Sequence, residues 1–445
     1  MYRFSAAFCI LPPGRGKIQV KISLHLSPAV VYFFGLFSGT EIFMNGTQRK
    51  LNTAYAALQG SYWMAYCMVL SFASVFLLAR GYSNSEIGVI MAASNVLALI
   101  LQPITAQLAD KSQRVGIFHI LWALCILMTA ALVISSLVSV RSAVLSVSYA
   151  AAFALLIVVQ PFITSVTMHA AAAWDIHINF GACRAVGSLS YAVMAAVMGA
   201  AVEKLGIASV PISGAGCVVL MMLFLAVFSL YDRRSGCREE GAQSKAESSG
   251  ILQFIRSNKR FSVFLLGVAL LFATHSLINN FIIVVVRNVG GDSGDMGRLC
   301  AYMAVLEMPA MVFFDRVSRR IRCSSLLRFS VLMFTAKAFA IFLAPTVGWM
   351  YAAFTLQAIS FAVYTPAAVR YAMLVVDSRD AVKAQAFLTL TGTLGSIFAS
   401  LAGGVMFDKM GASPTLLIWA LISGIGSLVA FAAVMPTARG QRGQG

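Results

Sequence analysis

Twelve apolar segments, each about as long as a bilayer-crossing helix, dominate this 445-residue sequence. They fall near residues 52–79, 87–108, 117–139, 143–168, 180–202, 207–230, 261–286, 298–317, 325–344, 348–376, 385–406 and 415–435. A helical span needs roughly 20 such residues. Inside lipid the backbone must satisfy its own hydrogen bonds, so the spans must be helices. Twelve of them use about 240 residues and leave about 200 for loops and ends, whereas six would strand too much apolar sequence outside the membrane. Only 11% of residues are charged and 60% are hydrophobic, against about a quarter charged in a soluble domain. That balance excludes a soluble enzyme, a secreted disulfide scaffold and a disordered tail protein. The eight cysteines stand singly, with no CxxC pair, and read as packing residues.

Lys and Arg outnumber Asp and Glu 33 to 16. In a membrane protein this surplus reflects the positive-inside rule rather than nucleic-acid binding. Arg49/Lys50, Lys111/Arg114, Arg233/Arg234/Arg238, Lys259/Arg260, Arg316/Arg319/Arg320/Arg322, Arg379/Lys383 and Arg439/Arg442 fall on one side, which makes both ends cytoplasmic. The other side has sparse positives such as Arg80, Arg141, Lys204, Arg287 and Lys409. The expected organisation is a six-helix bundle at 44–231, a flexible cytoplasmic linker at 232–259, a second bundle at 260–436 and a tail at 437–445. Residues 1–43 fit poorly, because an extra span or a cleaved signal there would put Arg49/Lys50 outside. They read as an extension ahead of a start at Met44.

The two halves repeat. Asp110 and Asp315 are 205 positions apart (315 − 110), and the same separation relates Pro161 to Pro366, Gly187 to Gly392, Lys204 to Lys409 and Gly206 to Gly411. Parallel repeats of six spans imply a cavity between them near the bilayer midplane.

Ionisable groups inside lipid cost about 2.5–3.5 kcal/mol each even on the lenient insertion scale, so each is a functional candidate. The spans contain one interior carboxylate, Glu307 in span 8. Interior cations are Arg184 in span 5 and Lys337 in span 9, with His275 in span 7 and Arg370 towards the end of span 10. Opposite charges from the two halves are expected to pair across the cavity, although Arg184 lies near enough to the surface to snorkel. Polar and aromatic stripes at helical spacing suit a hydrated cavity: Gln59, Tyr62 and Tyr66; Asn95 and Gln102; Gln160, Thr164 and Thr167; Arg184, Gly187 and Tyr191; His275 and Asn279; Gln357, Phe361 and Tyr364. A single stripe would equally serve interhelical hydrogen bonding. Asp110 with Arg114, and Asp315 in the second half, lie at helix ends where an acid can latch onto a facing helix N-terminus. Catalytic and nucleotide motifs are missing: Gly291-Asp292-Ser293-Gly294 lacks a protease around it, residues 12–17 lack the frame of a phosphate loop, and no HExxH occurs. Transport would therefore draw on an ion or substrate gradient, with no cofactor.

These residues resemble the major facilitator superfamily over about Met44 to Pro436, beginning with the QPITAQLADKSQR stretch after span 2. Asn179 to Tyr191 (NFGACRAVGSLSY) is similar to the fifth helix of the lactose-permease-like branch of oligosaccharide, nucleoside and phenylpropionate proton symporters. The resemblance implies that Arg184 binds substrate, that Tyr191 stacks on it, that Glu307 is that branch's helix-8 Glu, and that Lys337 replaces its helix-9 Arg. The sequence also departs from that pattern. Gln357 and Ser360 stand where the permease has its helix-10 His and proton-carrying Glu, Ala310 replaces a substrate-binding Asn, and span 4 has no Glu. These departures argue against lactose and leave proton coupling to Glu307. The glycine-proline motif of drug antiporters is absent from span 5.

The expectation is an all-α membrane protein of the major facilitator fold, not an enzyme. It would act as a monomer in the inner membrane, moving a small polar or glycosidic solute by proton symport. Candidate substrate-binding residues are Arg184, Tyr191, Glu307, Lys337, Gln357, His275, Asn279 and Tyr66. The rivals are an efflux antiporter and a non-transporting membrane sensor or assembly partner.

Overall fold

The computed structural model describes residues 46–111, 116–173, 180–232, 251–377 and 380–437. The expected extension and start at Met44 lie outside them, as do Arg114 and the side chains of Asp110 and Asp315. Among the described residues the regular structure is helical throughout. In the first half, α1 (Gly46–Tyr66) continues through a π-helical turn, Cys67–Ser71, into α2 (Ala73–Ala79). Then come α3 (Asn84–Lys111), α4 (Ile117–Leu137), α5 (Ala143–Ala173), α6 (Phe180–Leu205) and α7 (Ser209–Asp232). The short α8 (Ile251–Ser257) precedes the second half: α9 (Lys259–Asn280), α10 (Ile282–Asn288), α11 (Ser293–Arg320), α12 (Cys323–Phe342), α13 (Val347–Thr355), α14 (Phe361–Val375), α15 (Ala381–Met410) and α16 (Ala412–Ala433).

Ten helices among the described residues are long and apolar enough to cross a membrane, or eleven if the bent pair α1–α2 counts as one span. The expected twelfth, α11, is a 28-residue helix that carries Asp295, Arg298, Glu307 and three basic residues near its end. Its charges lower its apolarity, and it packs extensively against α6 instead of relying on lipid contact alone. Outward-facing Leu137, Leu223, Leu266, Leu343 and Leu428 are all more than half exposed, as befits residues solvated by acyl chains. The chain is a multi-pass membrane protein.

The apolar segments do not reveal where spans break. Span 1 turns at Phe72, span 7 at Phe281, and span 10 passes through a 3-10 turn at Leu356–Ala358 before restarting at Phe361. Phe72 and Phe281 are fully buried, so each break is pinned by packing. The expected linker 232–259 also differs at its end. Its last residues form α8, whose buried Phe254 stacks on Phe387 at 5.1 Å.

Positive-φ glycines end equivalent spans in both halves: Gly81 and Gly290 after spans 1 and 7, Gly206 and Gly411 after spans 5 and 11. Within the first half α1 packs on α6 and α7, and α4 on α5 and α7. Within the second, α9 packs on α15 and α16, and α12 on α14 and α16. The halves meet along two crossings, α6 with α11 and α3 with α15. Small residues make both approaches possible. A Cβ on Gly199 would lie 2.7 Å from the Gly297 Cα, and one on Gly88 would strike the Ser400 carbonyl. At the same end, the Asp408 carboxylate of α15 accepts hydrogen bonds from the Asn84 and Ser85 backbone amides (3.0 and 2.7 Å) and from the Asn84 side chain (2.9 Å). It caps α3 from the opposite half. The Ser74 hydroxyl likewise donates to the Asn280 carbonyl, joining the breaks of spans 1 and 7.

Candidate functional site

A cavity of about 190 Å³ lies between the halves. Its first-half wall is built by α1 and α6. Arg184 lies over the Trp63 ring, its guanidinium carbon 3.8 Å from the centroid, and donates to Ser188 Oγ at 2.7 Å. The contact is strong for its class, because a weakly hydrated guanidinium suits an aromatic face. Trp63 is fixed in turn: its indole N–H donates to Gln59 Oε1 (3.1 Å), and the Gln59 amide donates to Tyr55 OH (2.8 Å). Tyr66 and Tyr191 flank the pair with ring centroids 6.5 Å apart, and the Tyr191 hydroxyl shares a 2.8 Å hydrogen bond with Ser71. Ser71 reaches the cavity because it ends the π-helical turn, a device that often re-aims side chains at working sites.

The second-half wall is a continuous hydrogen-bonded chain. Gln357 donates to Glu307 Oε1 (2.8 Å) and accepts from Lys337 Nζ (2.7 Å). Lys337 Nζ also meets His275 Nδ1 (3.0 Å), and His275 Nε2 meets the Asn279 amide (2.9 Å). The Asn279 amide nitrogen can only donate, so Nε2 of His275 accepts from it. The His275 ring stacks on Phe361 at 4.8 Å. Lys337 itself is 1% exposed, with the Phe334 and Phe354 rings 5.6 and 6.0 Å from its nitrogen. Glu307 lies two residues before Pro309, which has no N–H to give and so leaves the Val305 carbonyl without its helical partner.

The structure brings Arg184, Tyr191, Tyr66, His275, Asn279, Glu307 and Gln357 to this one cavity. Lys337 stands behind the wall and reaches it through Gln357 and His275. Arg184 folds over Trp63 into the cavity instead of snorkelling. The expected ion pairing across the cavity is not seen. Ion pairs among the described residues join Arg141 to Glu86, Arg298 to Asp295 and Lys383 to Asp380, and the Gln357 amide stands between Glu307 and Lys337.

Several stripe residues have structural work elsewhere. Tyr62 donates to the Leu156 carbonyl, Asn95 to the Met91 carbonyl and Thr167 to the Ile163 carbonyl, while Tyr364 is buried against Phe272 and Phe334. Arg370 donates to Ser318 Oγ. Trp63, Ser188 and Ser71 were not singled out from the sequence. The first two had a signal: Trp63 follows Gln59 by four residues, and Ser188 follows Arg184 by four, the spacing that puts side chains on one helix face. Among the described residues no cluster of His, Cys, Asp and Glu could hold a metal.

A family model described as "MFS_1 like family" matches residues 55–418. The "Uncharacterized transporter YwbF" of Bacillus subtilis (strain 168) is 23% identical over 378 residues, covering 83% of this chain and 90% of that one. The fold is similar to the crystal structure of nucleoside transporter NupG, with a TM-score of 0.70 and 15% identity over 87% of this chain and 98% of that one. It is also similar to a bacterial homologue of the human lysosomal transporter Spinster in its inward-facing, unoccupied conformation. There the TM-score is 0.61 and the identity 14% over 88% and 98% of the two chains.

Proposed function

Because the chain belongs to the MFS_1 like family and is a membrane transporter rather than an enzyme, we propose that it moves a small polar or glycosidic solute by alternating access, coupled to proton symport. One observation carries this reading. The single carboxylate of the cavity, Glu307, lines the interface of the two halves with one oxygen held by Gln357. A carboxyl there changes solvation when the access side changes, and so can hold a proton in one conformation and release it in another. If solute and proton favour the same occluded state, each raises the affinity for the other. The similarity of the fold to a nucleoside transporter and to a POT family peptide transporter supports a small polar cargo.

Arg184, Tyr191, Tyr66, His275, Asn279 and Gln357 bind the solute, and Lys337 positions Gln357 and His275. Asp110, Arg114 and Asp315 form the latch at the loop side. The alternation of basic loops supports an inner-membrane protein with both ends cytoplasmic, which puts the Asp408–Asn84 end on the outer side.

The test is proton movement driven by solute. Proteoliposomes with no imposed gradient should alkalinise a weakly buffered outer medium when transported solute is added, and Glu307→Gln should abolish that signal. Full alkalinisation by Glu307→Gln would remove Glu307 from coupling.

A further inference from the structure

The hydrogen bonds of the second-half wall all run in one direction. The Asn279 amide nitrogen donates to His275 Nε2, so the proton of the neutral imidazole lies on Nδ1 and points at Lys337 Nζ, 3.0 Å away. Nζ donates in turn to Gln357 Oε1, and the Gln357 amide donates to Glu307 Oε1. An ammonium has no lone pair and could not accept from Nδ1. The run is complete only with Lys337 as an uncharged amine. Its surroundings agree, because the nitrogen is buried, Gln357 separates it from Glu307, and none of the ion pairs among the described residues includes it. Glu307 Oε1 accepts in the same way whether or not its carboxyl holds a proton, so the direction is independent of the coupling step.

We infer that Lys337 is a second proton-binding group, distinct from Glu307, whose occupancy sets the hydrogen-bonding face that Asn279 shows the solute. With the amine uncharged, the Asn279 nitrogen is engaged by His275, and its carbonyl oxygen is left to the cavity that Asn279 lines. The site then calls for an O–H or N–H at that point of the solute. A proton on Nζ reverses this, because an ammonium must donate to His275 as well as to Gln357. The transfer balances: a proton from cavity water joins Nε2 while the Nδ1 proton passes to the Nζ lone pair. The ring begins and ends neutral, and Lys337 holds the added proton. Nε2–H then needs an acceptor, so the Asn279 amide turns over, gives its oxygen to the ring and shows its NH2 to the cavity. The solute must now offer an acceptor. His275 lines the cavity as well, which gives the proton its way in. The titratable groups facing Lys337 are His275 of α9, Glu307 of α11 beyond Gln357, and Tyr364 of α14, whose ring packs on Phe334. From α13 comes the Phe354 ring, and α16 has no titratable residue.

The relay rests on these hydrogen bonds alone; only its effect on solute rests on the transport reading above. Nitrogen-15 NMR of the purified full chain, labelled at His, Lys and the Asn side chain, reads every member. A dipolar contact between the Lys337 and His275 nitrogens identifies the pair without a variant, so the titration decides even if a substituted protein fails to fold. At mildly alkaline pH, Lys337 should give an amine signal and His275 a protonated Nδ1 with a bare Nε2. As pH falls, Lys337 should become an ammonium and the bare nitrogen should change to Nδ1 in the same transition, before any imidazolium forms. The contact between the Asn279 nitrogen and Nε2 should weaken in step. Lys337→Met should lose the exchange of nitrogens. An ammonium or a bare Nδ1 throughout the titration overturns the inference, as does a ring that switches equally in Lys337→Met or an Asn279 contact unchanged by the switch. No solute is present, so the relay can fail while transport stands. Absence of the solute-driven alkalinisation described above would instead remove the transport reading and leave the relay.

Discussion

The two walls of the cavity are built on opposite plans. On the second-half wall every polar side chain from Glu307 to Asn279 is bonded to the next, and the Lys337 nitrogen is buried with both of its bonding partners in place. On the first-half wall a guanidinium with five N–H donors rests on an indole and has one side-chain hydrogen-bond partner. A buried polar network stabilises only when every member is satisfied, and is costly when one is lost. The second-half wall is therefore pre-organised, and its sensitive property is where the proton sits. The first-half wall is incomplete by itself and is finished by what enters the cavity.

The difference should first appear in stability. Lys337→Met leaves the buried Gln357 oxygen without its donor and breaks the chain at His275, a loss of about 1–3 kcal/mol for each group left unpaired. It should lower the melting temperature in detergent sharply, whereas Arg184→Gln, which borders the open cavity, should shift it little. Equal shifts for the two variants would erase the distinction between the walls.

The walls work together only if the halves close at the Asp408 end. A Leu side chain at Gly297 cannot fit against the Ala195 carbonyl and Gly199, so Gly297→Leu should hold that end apart and cut transport more than tenfold. Cys300, 1% exposed and beside the cavity, provides a native probe. An impermeant maleimide added from that side should label it faster in Gly297→Leu, as read by mass spectrometry, and unchanged labelling would show that the crossing is not a gate. A milder version is Asp408→Ala, which removes the cap of α3. Losing a cap costs about 1 kcal/mol, so the closed state should lose about fivefold in population, seen as a modest rise in the same labelling. Smallest of all, Ser188→Ala removes one hydrogen bond from Arg184, worth about 0.5–1.5 kcal/mol. It should weaken solute binding severalfold and leave proton coupling intact. A coupling defect would mean that the first-half wall also handles the proton.

Much of this was legible in the residues, and the illegible parts have physical reasons. A charge in lipid is expensive enough that Glu307 and Arg184 stand out without any structure, and of the 205-residue register Gly206 and Gly411 end equivalent spans with a positive φ. The stripes were less discriminating. Tyr62 and Tyr66 share a helix face by spacing, yet Tyr62 is turned into the packing against Leu156 while Tyr66 lines the cavity. Helical period gives a direction but not what lies in that direction. The break at Cys67–Ser71 leaves no mark in hydropathy, because a π-helical turn of Cys, Met, Val and Leu is as apolar as the helix it interrupts, and the polar Asn279 and Gln357 at the other two breaks read as cavity residues instead. Asp408 escaped for another reason. At a loop boundary an acid costs nothing in sequence terms, and its role depends on a helix 324 residues away.

The central claim is that Glu307 carries the proton and Arg184 anchors the solute. Proteoliposomes carrying Glu307→Gln and Arg184→Gln, assayed side by side for counterflow and for accumulation driven by a proton gradient, test it most directly. Glu307→Gln should exchange solute and fail to accumulate it, while Arg184→Gln should lose both. Accumulation retained in Glu307→Gln, or undiminished exchange in Arg184→Gln, would contradict the account.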